Sequence, residues 1–255
     1  MTNRQILQIA MAQSAIDLNC NAEDFCKDEN VLVHSAASEG ARRYLKLPFD
    51  CDLVSYGSNI VASVSPQAEA VVAAYIGKYP FYHCFETPNL HALDDALQPL
   101  GLRSCFMAEY FLPDVQRLAP LPCRYGMRLL MPEDFVDLYL PQWSNALCAA
   151  RPHLDVLAVG AYDGNELIGL AGCSADCDTM WQIGIDVLPA YRRQGVASAL
   201  TARLALECLA REKVPFYCAA WSNVRSVRNA IASGFRPAWV ELTAKPIEMI
   251  NDMNK

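Results

Sequence analysis

The sequence contains no G-x-G-x-x-G, no G-x-x-x-x-G-K-[ST] and no C-x-x-C. The glycine-rich signatures of dinucleotide and P-loop sites are therefore missing, as is the paired-cysteine signature of redox or zinc modules. Nowhere do roughly 18 apolar residues run uninterrupted, so no membrane-spanning helix is expected. The N-terminal stretch MTNRQILQIAMAQSAIDLNC reads as an amphipathic helix without a long apolar core, and no signal peptide is expected. Basic residues are the minority charge, 21 Lys and Arg against 28 Asp and Glu, and the net charge is −7. No basic face is visible, which argues against a nucleic-acid partner.

Apolar residues make up 53% of the 255-residue chain and charged residues 19%, enough for a sizeable core and not a disordered composition. Eleven cysteines are scattered from Cys20 to Cys218. Cys173 and Cys177, with Asp176 between them, are the one pair close enough to suggest a metal, but zinc sites need clustered ligands. The simpler reading, adopted here, is reduced thiols packing as small apolar side chains in a cytoplasmic protein, with no metal.

Three prolines between Pro113 and Pro122 make that stretch poor inside any regular element. The domain boundary is placed near residue 120, giving an N-terminal α/β domain over 1–120 and a second domain over 121–255. In the N-terminal half, helices are predicted near 3–18, 66–77 and 89–98, and strands near 31–35, 52–56, 59–64 and 102–111. His83-Cys84 is read as a strand end. In the C-terminal half, a strand over 124–130 leads to a helix from Pro132 toward Tyr139, which Pro141 separates from a second one reaching Cys148. A hairpin follows, LDVLAVGAY and ELIGLAGCS around Asp163-Gly164-Asn165. The strand TMWQIGIDV comes next.

After Pro189 the apolar period changes from two to nearly four, with Val196, Leu200, Leu204 and Cys208 on one helical face. A short buried strand, VPFYCAAW, precedes a helix capped by Asn223 and ended by Gly234, and FRPAWVELT is the last strand. This is an α/β layout with a mixed, mostly antiparallel sheet flanked by helices. One internal comparison is notable. Asn89–Arg103 aligns with Asn223–Arg236 with a single-residue gap, matching Leu90, Leu93 and Leu97 to Val224, Val227 and Ile231. Any amphipathic helix ending in glycine has this look; the sharper reading is that the N-terminal domain is a degenerate partial copy, lacking the glycine-turn loop.

The chemistry-bearing segment is IDVLPAYRRQGVASAL, residues 185–200. A strand runs through a proline into a turn with two arginines and a glycine, then directly into a helix. Such a junction points consecutive N–H groups, with their partial positive charge, at an anion. Gly195 permits close approach, Ala197 and Ser198 keep the first turn open, and Arg192 and Arg193 add full charges. The anion that suits this arrangement is a phosphate or pyrophosphate.

Arg192-Arg193-Gln194-Gly195-Val196-Ala197 fits the [R/Q]-x-x-G-x-[G/A] signature, preceded by Val187-x-Pro189-x-Tyr191-Arg192 and followed by Asn223-x-x-Ser226 and Gly234-Phe235-Arg236. Over about residues 122–245 the chain resembles the GNAT superfamily of acyl-CoA N-acyltransferases, and its wording is similar to the antibiotic self-resistance subgroup. The resemblance implies a GNAT fold and acetyl-CoA as acyl donor. It implies that Ile185, Asp186 and Val187 lie along the pantetheine arm at a splay in the strand, with a Val187 N–H polarising the thioester carbonyl. Residues Arg192, Arg193, Gln194, Gly195, Val196, Ala197 and Ser198 would wrap the pyrophosphate, and Asn223 would contact the pantetheine or the substrate.

The sequence departs from the family where many members carry a tyrosine acid and a glutamate base: here those positions are Ala230 and Gln182. Ser226 is the candidate donor to the leaving sulfur, and Asp155 and His153 are candidates to act through water, against the plainer reading of each as a surface or capping residue. Trp181, Trp221 and Trp239 are read as core. The expected activity is acetylation of a small-molecule primary amine by direct attack. The N-terminal domain would wall the acceptor cleft or mediate a homodimer. A non-catalytic acyl-CoA-binding module, or an acetyltransferase acting on protein N-termini or lysines, remains open.

Overall fold

The computed structural model describes residues 1–255. In chain order the strands are β1 (Val31–His34), β2 (Cys51–Ser55), β3 (Val61–Val64), β4 (Leu102–Pro113), β5 (Gly126–Leu130), β6 (Asp155–Asp163), β7 (Glu166–Ser174), β8 (Met180–Val187), β9 (Val214–Ala219) and β10 (Phe235–Pro246). The helices are α1 (Asn3–Leu18), α2 (Glu69–Lys78), α3 (Thr87–Leu97), α4 (Val196–Ala210), α5 (Val224–Ala232) and α6 (Ile247–Met253). None is long and apolar enough to cross a membrane. The chain forms two compact units, each assembled from two stretches: an N-terminal unit of residues 11–110 with 238–255, and a central unit of residues 1–10 with 111–237.

In the N-terminal unit the strand order is β1-β3-β2-β10-β4. β1 and β3 run parallel, while β2 is antiparallel to both β3 and β10. Leu53, Ala62 and Val64 pack with Val72, Ile76, Leu93 and Leu97 of α2 and α3. Around Asp52 the unit buries charge. Arg42 and Asp17 pair at 3.0 Å with side chains 2% and 1% exposed. Asp52 lies across the ladder from Ser63 and Thr243, and both its carboxyl oxygens are buried without a hydrogen-bond partner. Burial, and then the neighbouring Glu241, push the Asp52 carboxyl well above its ordinary range.

The central unit orders its strands β9-β8-β7-β6-β5. β5 through β8 form an antiparallel meander, and β8 pairs with β9 in parallel. The hairpin forms as the Asp-Gly signal predicts: Asp163 pairs with Glu166 across a two-residue turn. Helix α4 lays Val196, Leu200, Leu204 and Cys208 into the core against Leu157, Ile168 and Ile183. The result is the mixed, mostly antiparallel α/β sheet of the sequence reading.

Three local expectations need correction. The helices from Pro132 to Tyr139 and from Pro141 to Cys148 do not form; the stretch contains only 3₁₀ turns at Pro132–Asp134, Val136–Leu138 and Pro141–Trp143. Leu140, preceding Pro141, is extended, as a residue before proline prefers. His83-Cys84 is not a strand end but part of a 3₁₀ turn, Phe81–Phe85. The two stretches compared within the sequence do share a local form. α3 and α5 each lead to a left-handed glycine, Gly101 or Gly234, and then to a 12-residue strand. The extra residue of the first copy is taken up in the 3₁₀ turn Gln98–Leu100.

Candidate acyl-donor site

The site is built around the end of β8. Its pairing with β9 runs from Met180/Val214 to Gln182/Phe216 and stops there, while β8 stays paired with β7 as far as Val187. The amide of Gln182 donates to Cys218 Sγ at 3.1 Å, at the point where the two strands part. Beyond it, Ile183, Ile185 and Val187 face the α4 core. The alternate residues, Gly184 and Asp186, face the loop at Asn145 and Ala146.

That loop explains the missing helix. Asp186 accepts hydrogen bonds from the backbone N–H groups of Asn145 and Ala146 at 2.8 and 3.0 Å and from Asn145 Nδ2 at 2.7 Å. Gly184 lets the backbone lie flat on the strand: a Cβ there would sit 1.8 Å from the carbonyl oxygen of Asn145. Donors that a helix would use internally are spent on a carboxylate instead, a tertiary override of local propensity. The resemblance assigned Asp186 only a backbone role toward the acyl donor. Its side chain serves as a loop anchor, which sequence reasoning missed. An acidic residue inside an alternating apolar strand was the available signal.

The turn after β8 presents the predicted anion site. Pro189–Tyr191 form a 3₁₀ turn, Arg193 has φ of 61°, and Gly195 is the N-cap of α4 with φ of 79°. No side chain caps this helix, and a Cβ on Gly195 would meet nothing within 4 Å. The first intrahelical bond is Ala199 N to Gly195 O, so the N–H groups of Val196, Ala197 and Ser198 have no helical acceptor. Arg192, Arg193, Gln194 and Gly195 are all exposed. Nearby side chains set the loop's shape: Arg192 Nε donates to Val187 O at 2.9 Å, and Gln194 donates to Ala190 O and accepts from Tyr125. Arg192 thus occupies the carbonyl of Val187, leaving its charge beside the splay.

Helix α5 supplies the third wall. Asn223 caps it by accepting from Ser226 N at 3.2 Å. The hydroxyl of Ser226, half-buried, lies 2.7 Å from that of Tyr217 on β9. Tyr217 was not foreseen, because a tyrosine in a buried strand reads as packing. Burial raises its phenol above the ordinary value, so it keeps its proton. Ala230 is fully buried in the same core cluster as Tyr217. Asp155 is buried and accepts from Cys148 N at 2.8 Å, and burial raises its carboxyl as well. His153 is exposed. Trp239 is core, at 2% exposure, and Trp181 packs against the core, but Trp221 is 62% exposed on the β9–α5 turn and not core as expected. It lies past the end of β9 and before the Asn223 cap of α5, outside either element. An open cleft of about 590 Å³ in the N-terminal unit, lined by Asp28, Ile76, Tyr79 and Phe81 among others, contains none of the predicted site residues.

Residues 155–238 match the family model for GNAT acetyltransferases. No curated protein matches the chain. Among solved structures, a GNAT-family acetyltransferase from Colwellia psychrerythraea is similar over 96% of this chain and 98% of its own, at 12% identity and a TM-score of 0.48. A GNAT-family protein from Novosphingobium aromaticivorans is similar over 56% of this chain and 66% of its own, at 19% identity and a TM-score of 0.42. An aminoglycoside N-acetyltransferase solved with CoA is similar over 48% of this chain and 93% of its own, at 21% identity and a TM-score of 0.36. These are partial likenesses, and the family assignment of residues 155–238 rests on the sequence match.

Proposed function

With a GNAT acetyltransferase domain at residues 155–238 as the premise, we propose that the protein is an N-acetyltransferase that moves an acetyl group from acetyl-CoA to the primary amine of a small molecule. The observation that carries this reading is the uncapped α4 N-terminus, with left-handed Gly195 open to solvent and two exposed arginines beside the β8–β9 splay. Helix N-termini of this kind hold phosphate through backbone N–H groups and the helix dipole. In the proposal, residues 192–198 hold the pyrophosphate. Ile185, Asp186 and Val187 line the pantetheine arm through their backbone. Asn223 stands on the far side of the splay.

The amine attacks the acetyl carbon, the C–S bond breaks, and the products are the amide and CoA thiol. A thioester held in line with its acceptor needs little more than orientation and a donor at the developing oxyanion, here assigned to Val187 N–H. Gln182 has no basic group at neutral pH, so the amine arrives as its free base or loses its proton to water. A cytoplasmic setting accords with eleven cysteines that form no disulfide. Thiol release from acetyl-CoA, followed across a panel of small amines, tests the proposal. Amine-dependent release supports it.

Gln182 and Ala230 favour one second reading, a module that binds acyl-CoA without turning it over. CoA binding with no thiol release for any amine in the panel would select it.

A further inference from the structure

We propose that Tyr125, far from the phosphate loop in sequence, holds that loop in the shape that receives the pyrophosphate, acting through Gln194; this rests on the acyl-CoA reading of the same site. The loop has a shape that a free chain would not keep. Arg193 sits in the left-handed region at φ of 61°, where a residue with a Cβ is strained, and Gly195 follows at 79°. A non-glycine residue stays there only when its surroundings over-determine the turn.

Gln194, between those two residues, supplies the constraint. Its Nε2 donates to the carbonyl oxygen of Ala190 at 3.1 Å, and a carbonyl can only accept, so the amide has one orientation. The other end of the amide is then the carbonyl Oε1, which can only accept, and the Tyr125 hydroxyl donates to it at 2.9 Å. The side chain of Gln194 is thus a staple from the 3₁₀ turn to a tyrosine outside the loop, and it shapes the backbone that meets the anion.

Tyr125 is itself fixed in place. It directly precedes β5, is half-buried, and packs against the core of the central unit. Its ring meets that of Tyr191 edge-on, with centroids 5.4 Å apart and planes at 79°. Tyr191, inside the loop, has its hydroxyl 3.3 Å from carboxylate oxygens of both Asp163 and Glu166, on either side of the β6–β7 turn. The loop is therefore braced from β5 and from the hairpin turn. Without the staple, Arg193 is free to leave the left-handed region, and the chain entering the uncapped end of α4 loses its fixed path. Binding then has to restore the turn, and that ordering is paid in affinity. Tyr125 is a positioning residue: its hydroxyl is occupied by Gln194 and touches no reacting atom.

The test titrates the full chain with CoA and with ADP, which carries a pyrophosphate but no pantetheine arm. Tyr125→Phe, which keeps the ring, is expected to weaken both ligands by about fivefold, the scale of one hydrogen bond. Gln194→Ala is expected to weaken them at least as much. In the Gln194→Ala background, Tyr125→Phe is expected to change nothing further, because the hydroxyl has already lost its partner. A purely structural role for Tyr125, or direct contact of its hydroxyl with the ligand, would weaken binding again in that background. Wild-type affinity in Tyr125→Phe, losses that multiply in the double variant, or a loss for CoA with none for ADP each overturn the proposal. The CoA series alone decides if ADP binds too weakly to read. Should Tyr125→Phe fail to fold, undiminished CoA affinity in Gln194→Ala overturns the proposal and a loss supports it. Wild type that does not bind CoA would instead remove the acyl-CoA reading and this inference with it.

Discussion

Asp186 holds Asn145 by two hydrogen bonds, one from the backbone N–H at 2.8 Å and one from the side-chain amide at 2.7 Å. One carboxylate on β8 thereby fixes the loop that covers one face of the candidate site. The neighbouring Ala146 N–H adds a third bond at 3.0 Å.

Asp186→Ala is expected to free this loop and lower stability by about 2 kcal/mol, the scale of hydrogen bonds to a charged group. Urea denaturation gives the value. An unchanged midpoint would mean that the loop is held by packing of Trp143 and Leu147 alone.

At Gly184, even one methyl group has no room. Gly184→Ala puts a Cβ against the carbonyl of Asn145, backbone that cannot swing aside as a side chain would. The expected loss is about 1–3 kcal/mol, as for overpacked cores, read from the thermal midpoint. A wild-type midpoint would show that the loop moves away at little cost.

These two residues mark where the sequence was and was not legible. The hairpin of β6 and β7 could be read because Asp163-Gly164-Asn165 codes for its turn locally, and α4 and α5 because their apolar spacing and caps are local signals. The stretch 132–148 could not. Two of its backbone donors, those of Asn145 and Ala146, are satisfied by a carboxylate about forty positions away in the chain, and no periodicity reports such a pairing. For the site, Gly195 and its arginines stood out because their pattern is contiguous. The Tyr217–Ser226 contact did not, because it joins a strand to the following helix through side chains alone. Trp221 was misread for a related reason: composition favours burial of tryptophan, whereas its place on a turn exposes it.

The N-terminal unit should show a pH dependence centred on Asp52. Its carboxyl is raised in the folded protein, so it favours folding in full below the ordinary carboxylate range. That contribution is lost as pH rises through the elevated folded value. Asp52→Asn is expected to match wild type below the ordinary carboxylate range and to exceed it in thermal midpoint increasingly as pH rises above that range. Parallel curves for the two proteins as pH rises would show that Asp52 is ionised in the fold.

Gly195→Asp addresses the anion site. It places a carboxylate before the N–H groups of α4 and imposes a left-handed conformation on a residue with a Cβ, a strain of about 1 kcal/mol. The fold is expected to survive by circular dichroism and CoA binding to be lost. Retained micromolar affinity would show that the phosphates lie elsewhere.

The most direct measurement is isothermal titration of the wild-type protein with acetyl-CoA, using dephospho-CoA and longer acyl-CoAs as comparators. One-to-one binding in the micromolar range or tighter is the expected result, and it would establish the site at the α4 N-terminus when combined with the Gly195 variant. No heat and no binding, in protein shown to be folded, would contradict the account at its centre.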